Sequence, residues 1–165
     1  MIIFDASTMI LLARIDLLEL FVSTFAGRVL IPKKVEAEVC CKGKEEAPLI
    51  NRLIKEGHIA VLPIKDQRAV KRLESDFALH AGEAEALMLA IEHNVSLIAT
   101  DDRNAIRACK MLKLEFTTAL AFLVRAFEKK LIDRNEALSR LDKLESIARY
   151  KQTIISDVKQ KLQGV

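Results

Sequence analysis

The chain has 165 residues, 51% apolar and 30% charged, so it is long enough for one domain with a sizeable core and too apolar to be disordered. No apolar run approaches membrane-spanning length, the start lacks the basic and apolar regions of a signal peptide, and three cysteines without CxxC spacing predict reduced thiols in a cytoplasm. The net charge of +3 is uneven: residues 105–165 carry 13 Lys and Arg against 7 Asp and Glu, which suits a phosphate-backbone partner but equally a solvated helical surface.

Short apolar runs alternate with helical periods along the chain. The predicted strands are residues 1–4, 28–31 and 96–99; residues 59–64 are a candidate strand or extended connection, and residues 114–116 are a candidate last strand. The predicted helices are residues 8–25 with a break near Asp16, one begun by Pro32, 47–56, 67–75, 82–93, 104–112, one marked by apolar residues from Leu120 to Leu131, 134–148 and 153–162. This alternation predicts an α/β fold with a parallel, doubly wound sheet, in which ligands bind beyond the carboxyl ends of the strands.

Two of the predicted strands end in aspartate. Asp5 follows the first strand, and Asp101 and Asp102 follow the strand of residues 96–99. Capping of the next helix explains one aspartate at such a place, so for Asp5 capping and a functional role both stay open. Capping explains two adjacent aspartates less well, although acids are favoured in any first helical turn.

Glu83 and Glu85 open the helix of residues 82–93 and point to nearly opposite sides, because they are two residues apart. Glu83 shares its row with small and apolar residues, so it is predicted to face inward, where an acid is costly unless paired or bound to metal. Glu85 shares its row with Glu92 and is predicted to lie on the surface. A dipole-stabilised acid in a first turn is the alternative for Glu83.

Asp5, Asp102 and Glu83 could meet at one edge of a parallel sheet. Clustered carboxylates repel one another unless protons or cations intervene, and hard oxygen ligands select Mg²⁺ or Mn²⁺. Such ions can activate water and stabilise the charge that develops on a phosphodiester. Glu38 is different, since its spacing alone favours a surface pair with Lys34.

Four short motifs follow one another along the first 130 residues: a strand running into Asp, a Val-x-x-Glu step on a helix begun by Pro, an acid opening a long helix, and a strand running into Thr-x-Asp. They read Ile2-Ile3-Phe4-Asp5-Ala6-Ser7, Val35-Glu36-Ala37-Glu38, Gly82-Glu83-Ala84-Glu85-Ala86-Leu87 and Leu97-Ile98-Ala99-Thr100-Asp101-Asp102-Arg103. In order and rough spacing they resemble the PIN-domain family. Gly-Glu-Ala-Glu-Ala followed by Thr-Asp-Asp-Arg-Asn-Ala resembles a prokaryotic subgroup related to VapC-type toxins.

The resemblance implies a PIN-like three-layer α/β/α fold, with a nuclease domain over residues 1–132 and a C-terminal helical extension, residues 133–165, packed on the same domain. It implies metal-assisted hydrolysis of RNA by a catalytic set of Asp5, Glu38, Glu83 and Asp102. Mg²⁺ or Mn²⁺ would be held by Asp5, Glu83, Asp101 and Asp102, and the supporting hydrogen bonds would come from Ser7 and Thr100. The third acid is Glu83 where many relatives have the shorter Asp.

Other functions remain open from sequence. One is a catalytically silent PIN-like module that binds RNA or protein, although none of the expected carboxylates is missing. Another is a phosphorelay receiver, which usually places its paired acids after the first strand rather than late. The toxin resemblance implies an RNA substrate, a small antitoxin protein and a homodimer as partners, with no membrane.

Overall fold

The computed structural model describes residues 1–164, which form five strands and ten helices, with one to three helices after each strand. The strands are β1 (Ile2–Phe4), β2 (Val29–Pro32), β3 (Ile59–Leu62), β4 (Leu97–Ala99) and β5 (Glu115–Thr117). The helices are α1 (Ala6–Arg14), α2 (Leu18–Thr24), α3 (Lys33–Val39), α4 (Ala47–Lys55), α5 (Gln67–Phe77), α6 (Ala81–Glu92), α7 (Arg103–Met111), α8 (Ala119–Glu128), α9 (Arg134–Ile147) and α10 (Gln152–Gln163).

The sheet is parallel, with the strand order β3-β2-β1-β4-β5. From the central strand β1 the chain first builds outward through β2 and β3, and then returns to the other side of β1 to build β4 and β5. The reversal places a topological switch point between β1 and β4, where ligands of open α/β sheets bind. Asp5 and Thr100 follow these two strands directly.

Two apolar layers cover the two faces of the sheet, which confirms the predicted three-layer α/β/α fold. Because successive side chains of a strand point to opposite faces, Ile2 and Phe4 pack into one layer and Ile3 into the other. The first layer is covered by α1 to α4 and α8 to α10, and the second by α5 to α7. β1 is fully buried, as a central parallel strand must be.

The predicted break near Asp16 is confirmed, because that residue separates α1 from α2 with a φ of 58°. Pro32 differs slightly from expectation: it is the last residue of β2 and caps α3 instead of occupying the helix's first position. Of the two alternatives for residues 59–64, the strand is found, and it ends at Leu62. Helix ends are the part of a fold on which periodicity is least informative.

The C-terminal helices α9 and α10 contribute to the same core as the rest of the chain. Leu141, Leu144, Ile155 and Leu162 are buried in the layer that contains Phe4. These side chains therefore stabilise the α1 side of the sheet directly. Within residues 1–164, no helix is both long and apolar enough to cross a bilayer.

Candidate active site

The ends of β1 and β4 lie side by side at the switch point. The Asp5 N–H donates to the carbonyl of Ala99 at 3.0 Å, and the Thr100 N–H donates to the carbonyl of Thr117 at 2.9 Å. The parallel ladder thus continues one residue past each strand. It fixes the backbones of Asp5 and Thr100 next to each other at the carboxyl edge.

Asp5 is a buried carboxylate whose position is set by three donors. Its Oδ1 accepts from the Ser7 hydroxyl at 2.7 Å and from the Thr8 N–H at 3.2 Å, and its Oδ2 accepts from the Thr100 hydroxyl. Burial to 1% exposure raises the pKa of Asp5 from 3.8 to about 7, in spite of these hydrogen bonds. Asp5 is the N-cap of α1, and it is also an acid whose burial in its charged form is unfavourable.

An acidic cavity of about 130 Å³ opens beside Asp5, between α1, α3 and the start of α6. Its lining residues are Asp5, Ala6, Ser7, Ile10, Glu38, His80 and Glu83. Three of the four predicted catalytic acids therefore face one space. We call this space the acidic cavity.

Gly82 allows Glu38 to reach the acidic cavity. A Cβ at position 82 would lie 3.2 Å from Oε2 of Glu38 and 3.6 Å from Val35, so the bare glycine lets α3 approach α6 closely. Glu38 is exposed, as its surface interpretation predicts, but its carboxylate lies against Gly82 of α6, and it lines the acidic cavity together with Glu83.

Glu83 is half-buried at the first turn of α6, and its carboxylate is held by His80. Its Oε2 accepts from the His80 N–H at 2.9 Å, and its Oε1 lies 3.5 Å from Nδ1 of the same residue. Burial raises the pKa of Glu83, and the nearby charge of Asp102 raises it further, against the His80 hydrogen bond. The sequence assigned His80 no functional role, because the three scattered histidines of the chain form no recognisable motif and a core-edge or surface position was expected for each.

Asp102 lies outside the lining of the acidic cavity but acts on it through charge. Its Oδ1 caps α7 by accepting from the Ala105 N–H at 2.8 Å, and its own N–H donates to the Thr100 hydroxyl oxygen at 3.1 Å. The Asp102 side chain therefore caps α7 and also lies close enough to Glu83 to raise its pKa.

Glu85 is not a surface residue, and this part of the prediction was wrong. It is only 5% exposed, and its Oε2 accepts from the Lys34 N–H at 3.1 Å at the start of α3. The reason is that α6 packs against α3, α5 and α7, and residues 84–90 are all buried. A helix that is covered on every side has no solvent face for periodicity to identify.

Asp101 belongs to a second cluster, the tyrosine junction, formed by Thr8, Asp101, Ala119 and Tyr150. Its Oδ1 accepts from the Thr8 hydroxyl at 2.6 Å and from the Ala119 N–H at 2.9 Å, and its Oδ2 accepts from the Tyr150 hydroxyl. Burial and the charge of Asp101 raise the pKa of Tyr150, so the phenol stays protonated and donates. The metal-binding role that the resemblance implies for Asp101 stays a prediction; because donors engage both of its oxygens and it does not border the acidic cavity, the ligand set proposed below does not include it.

Tyr150 could not be found from the sequence. It lies in the segment between α9 and α10, 49 residues from Asp101, and no motif marks it. Tyr150 is the only tyrosine of the chain, and nothing else in the sequence sets it apart.

The donors around the acidic cavity fit a hard cation by their chemistry, since all the acids are carboxylates. Asp5 uses three of about four acceptor positions of a carboxylate, which leaves one for a cation. The ligands are not preassembled: within residues 1–164 no three His, Cys, Asp or Glu side chains converge as a metal site. Glu83 accepts one close hydrogen bond, from the His80 N–H, which leaves acceptor positions for a cation.

A larger cavity of about 470 Å³ lies elsewhere, between α2 and α8. Its walls are mainly apolar, with Phe21 and Phe122 prominent, and its charged lining residues are Arg125 and Lys129. Size alone would favour it as a ligand site. The acidic cavity is the better candidate for catalysis, because it holds the carboxylates and lies at the switch point.

The fold and the acidic cavity together define an α/β protein with a carboxylate site at the carboxyl edge of a parallel sheet. A model of the PIN-domain family matches residues 1–164, and the chain therefore belongs to that family. The match includes α9 and α10, beyond the 130 residues that carry the motifs. No curated protein matches the chain. PIN domains are typically nucleases, so membership indicates a hydrolase that acts on nucleic acids.

Proposed function

We propose that this protein is an endoribonuclease that hydrolyses RNA phosphodiester bonds with Mg²⁺ or Mn²⁺. The observation that carries the proposal is the acidic cavity, where Asp5, Glu38 and Glu83 face one space. Three acids are costly to bring together unless cations balance their charge. The excess of 13 Lys and Arg over 7 Asp and Glu in residues 105–165 is in keeping with a phosphate-bearing substrate.

In this proposal Asp5 and Glu83 hold the cation, Asp102 adds charge from the start of α7, and Glu38 faces the same cavity from α3. The cation would supply charge stabilisation at the phosphoryl group and help to activate a water molecule. During hydrolysis a P–O bond to the water oxygen forms as that water gives up a proton, the P–O ester bond breaks, and the departing oxygen takes up a proton. Ser7 and Thr100 keep Asp5 oriented throughout, because their hydroxyls donate to its two oxygens.

The test is incubation of the purified chain with a mixture of structured RNAs, with and without EDTA. We expect cleavage that requires added Mg²⁺ or Mn²⁺ and stops when the chelator is in excess. Cleavage unaffected by EDTA would contradict the metal mechanism. RNA binding without any cleavage would favour the catalytically silent module instead.

We further propose that the protein is the toxin of a toxin–antitoxin pair and forms a homodimer. The VapC-like motifs support the first statement. Exposed apolar side chains on or beside the C-terminal helices support the second: Leu131, Ile147 and Ile154 are 37–43% exposed. Light scattering at high concentration should give the mass of two chains, and a strict monomer would contradict the dimer.

A further inference from the structure

The tyrosine junction connects the C-terminal segment to the acidic cavity. Tyr150, between α9 and α10, is half-buried and donates to Asp101 at the end of β4. We propose that Tyr150 is a positioning residue for the nuclease site, and that it acts on Asp5 through Asp101. The inference rests on the proposed function, since it assigns a role within the same site.

The connection has three steps, each a hydrogen bond. The Tyr150 hydroxyl holds Oδ2 of Asp101. The Asp101 N–H donates to the Ser7 Oγ at 3.0 Å, and the Ser7 hydroxyl donates onward to Oδ1 of Asp5 at 2.7 Å. Because the Ser7 oxygen accepts from Asp101, its hydrogen is directed towards Asp5. A serine hydroxyl would otherwise rotate among several acceptors.

Without the phenol, the Asp101 carboxylate would keep donors on only one of its oxygens. Thr8 and Ala119 both donate to Oδ1, whereas Tyr150 donates to Oδ2. Loss of the Oδ2 donor would let the carboxylate rotate about the two Oδ1 hydrogen bonds that remain, and the backbone N–H that orients Ser7 would be less firmly placed. Partners of this kind, one hydrogen bond removed from a ligand, tune its orientation and affinity.

A merely structural role is the alternative, in which Tyr150 only fastens α9 and α10 to the domain. The chain offers a matched control for that role. Asp133 caps α9 by accepting from the Glu136 N–H at 2.8 Å, and it contacts neither the acidic cavity nor the tyrosine junction. Asp133→Ala should therefore loosen the C-terminal helices and leave the hydrogen bonds to Asp5 intact.

The experiment compares the full chain with Tyr150→Phe and Asp133→Ala. Mn²⁺ binding is followed by the electron paramagnetic resonance signal of the free ion, and RNA cleavage is measured at saturating Mn²⁺. Tyr150→Phe keeps the ring and should lower Mn²⁺ affinity or cleavage by about 10- to 100-fold. Asp133→Ala should lower the melting temperature and change neither quantity. Because Asp101 mediates the effect, Tyr150→Phe added to Asp101→Asn should cause little further loss.

The outcomes separate this inference from the proposed function. If the wild type cleaves RNA and Tyr150→Phe binds Mn²⁺ and cleaves equally well, the positioning role is overturned and the function stands. If the wild type binds Mn²⁺ but cleaves nothing, the function is overturned, and the Mn²⁺ affinities alone decide the role of Tyr150. Equal losses in Tyr150→Phe and Asp133→Ala would show that the effect is structural, and a wild type that binds no Mn²⁺ would overturn both proposals.

Discussion

The acidic cavity and the tyrosine junction lie on two sides of Ser7, and each contains an aspartate that accepts three hydrogen bonds. Asp5 accepts from Ser7, the Thr8 N–H and Thr100, while Asp101 accepts from protein donors that include the Tyr150 phenol. The number of donors therefore does not distinguish the two. The difference is that Asp5 also borders a cavity shared with other acids, and Asp101 does not. Whether either of these carboxylates is a candidate metal ligand therefore depends on whether it borders the acidic cavity.

The largest expected effect is the contrast between Glu83→Gln and Glu85→Gln. Glu83 faces the acidic cavity, so Glu83→Gln should lower the cleavage rate by more than about 100-fold, beyond the loss expected for an outer partner. Glu85 accepts from the Lys34 N–H and is buried away from the cavity, so Glu85→Gln should keep most of the activity. Its effect should appear as lost stability of about 1–3 kcal/mol, because a hydrogen bond to a charged acceptor is weakened.

Cleavage rates at saturating Mg²⁺ and urea denaturation of both variants provide the measurements. An inactive Glu85→Gln beside an active Glu83→Gln would mean that the catalytic edge lies at the start of α3, where Glu85 accepts from the Lys34 N–H, and not in the acidic cavity. The catalytic role assigned to Glu83 and the structural role assigned to Glu85 would then both be wrong.

A smaller effect is expected from Gly82→Ala, which crowds the acidic cavity without removing any acid. The added methyl would lie 3.2 Å from Oε2 of Glu38, so that carboxylate must shift. Activity should fall, but less than in Glu83→Gln. Stability should be unchanged or higher by about 0.5–1 kcal/mol, since alanine is favoured over glycine in a helix.

The double variant Gly82→Ala with Glu38→Ala is the control for this explanation. If displacement of Glu38 causes the loss, the double variant should be no worse than Glu38→Ala alone, as coupled sites behave. Additive losses would instead point to a different contact of the new methyl.

The smallest effect concerns the stability of the metal-free protein as pH changes. The folded pKa of Asp5, about 7, lies above its unfolded value of 3.8, so folding is favoured by the proton. This stability is fully present below about pH 4 and is lost as pH rises through about 7. Asp5→Asn removes the titration but keeps a capping side chain.

Relative to wild type, Asp5→Asn should therefore gain melting temperature in EDTA between about pH 5 and about pH 8. Thermal melts at these two values test the statement. The same difference in melting temperature at both pH values would mean that burial of the Asp5 charge does not limit the stability of the metal-free protein.

The sequence predicted the parts of the molecule that depend on local pattern. Alternation of short apolar runs with helical periods gave the parallel sheet, and the ends of β1 and β4 identified Asp5 and Asp102. Such inferences work because a parallel sheet brings the carboxyl ends of all its strands to one edge.

The features that were missed depend on packing between distant elements. Glu85 is buried because α6 is covered by α3 as well as by α5 and α7, and no single-helix period contains that information. Tyr150 reaches Asp101 only because α9 and α10 fold back onto α8. The proximity of Glu38 to α6 depends on Gly82, whose missing side chain matters only once the two helices meet.

The most direct test of the central claim is anomalous diffraction from crystals soaked in Mn²⁺. The account predicts an anomalous peak inside the acidic cavity, within about 2.5 Å of carboxylate oxygens of Asp5 and Glu83. The tyrosine junction should be unchanged and free of Mn²⁺. A peak on Asp101 with an empty acidic cavity would contradict the account, as would a cavity that stays empty at Mn²⁺ concentrations that support cleavage.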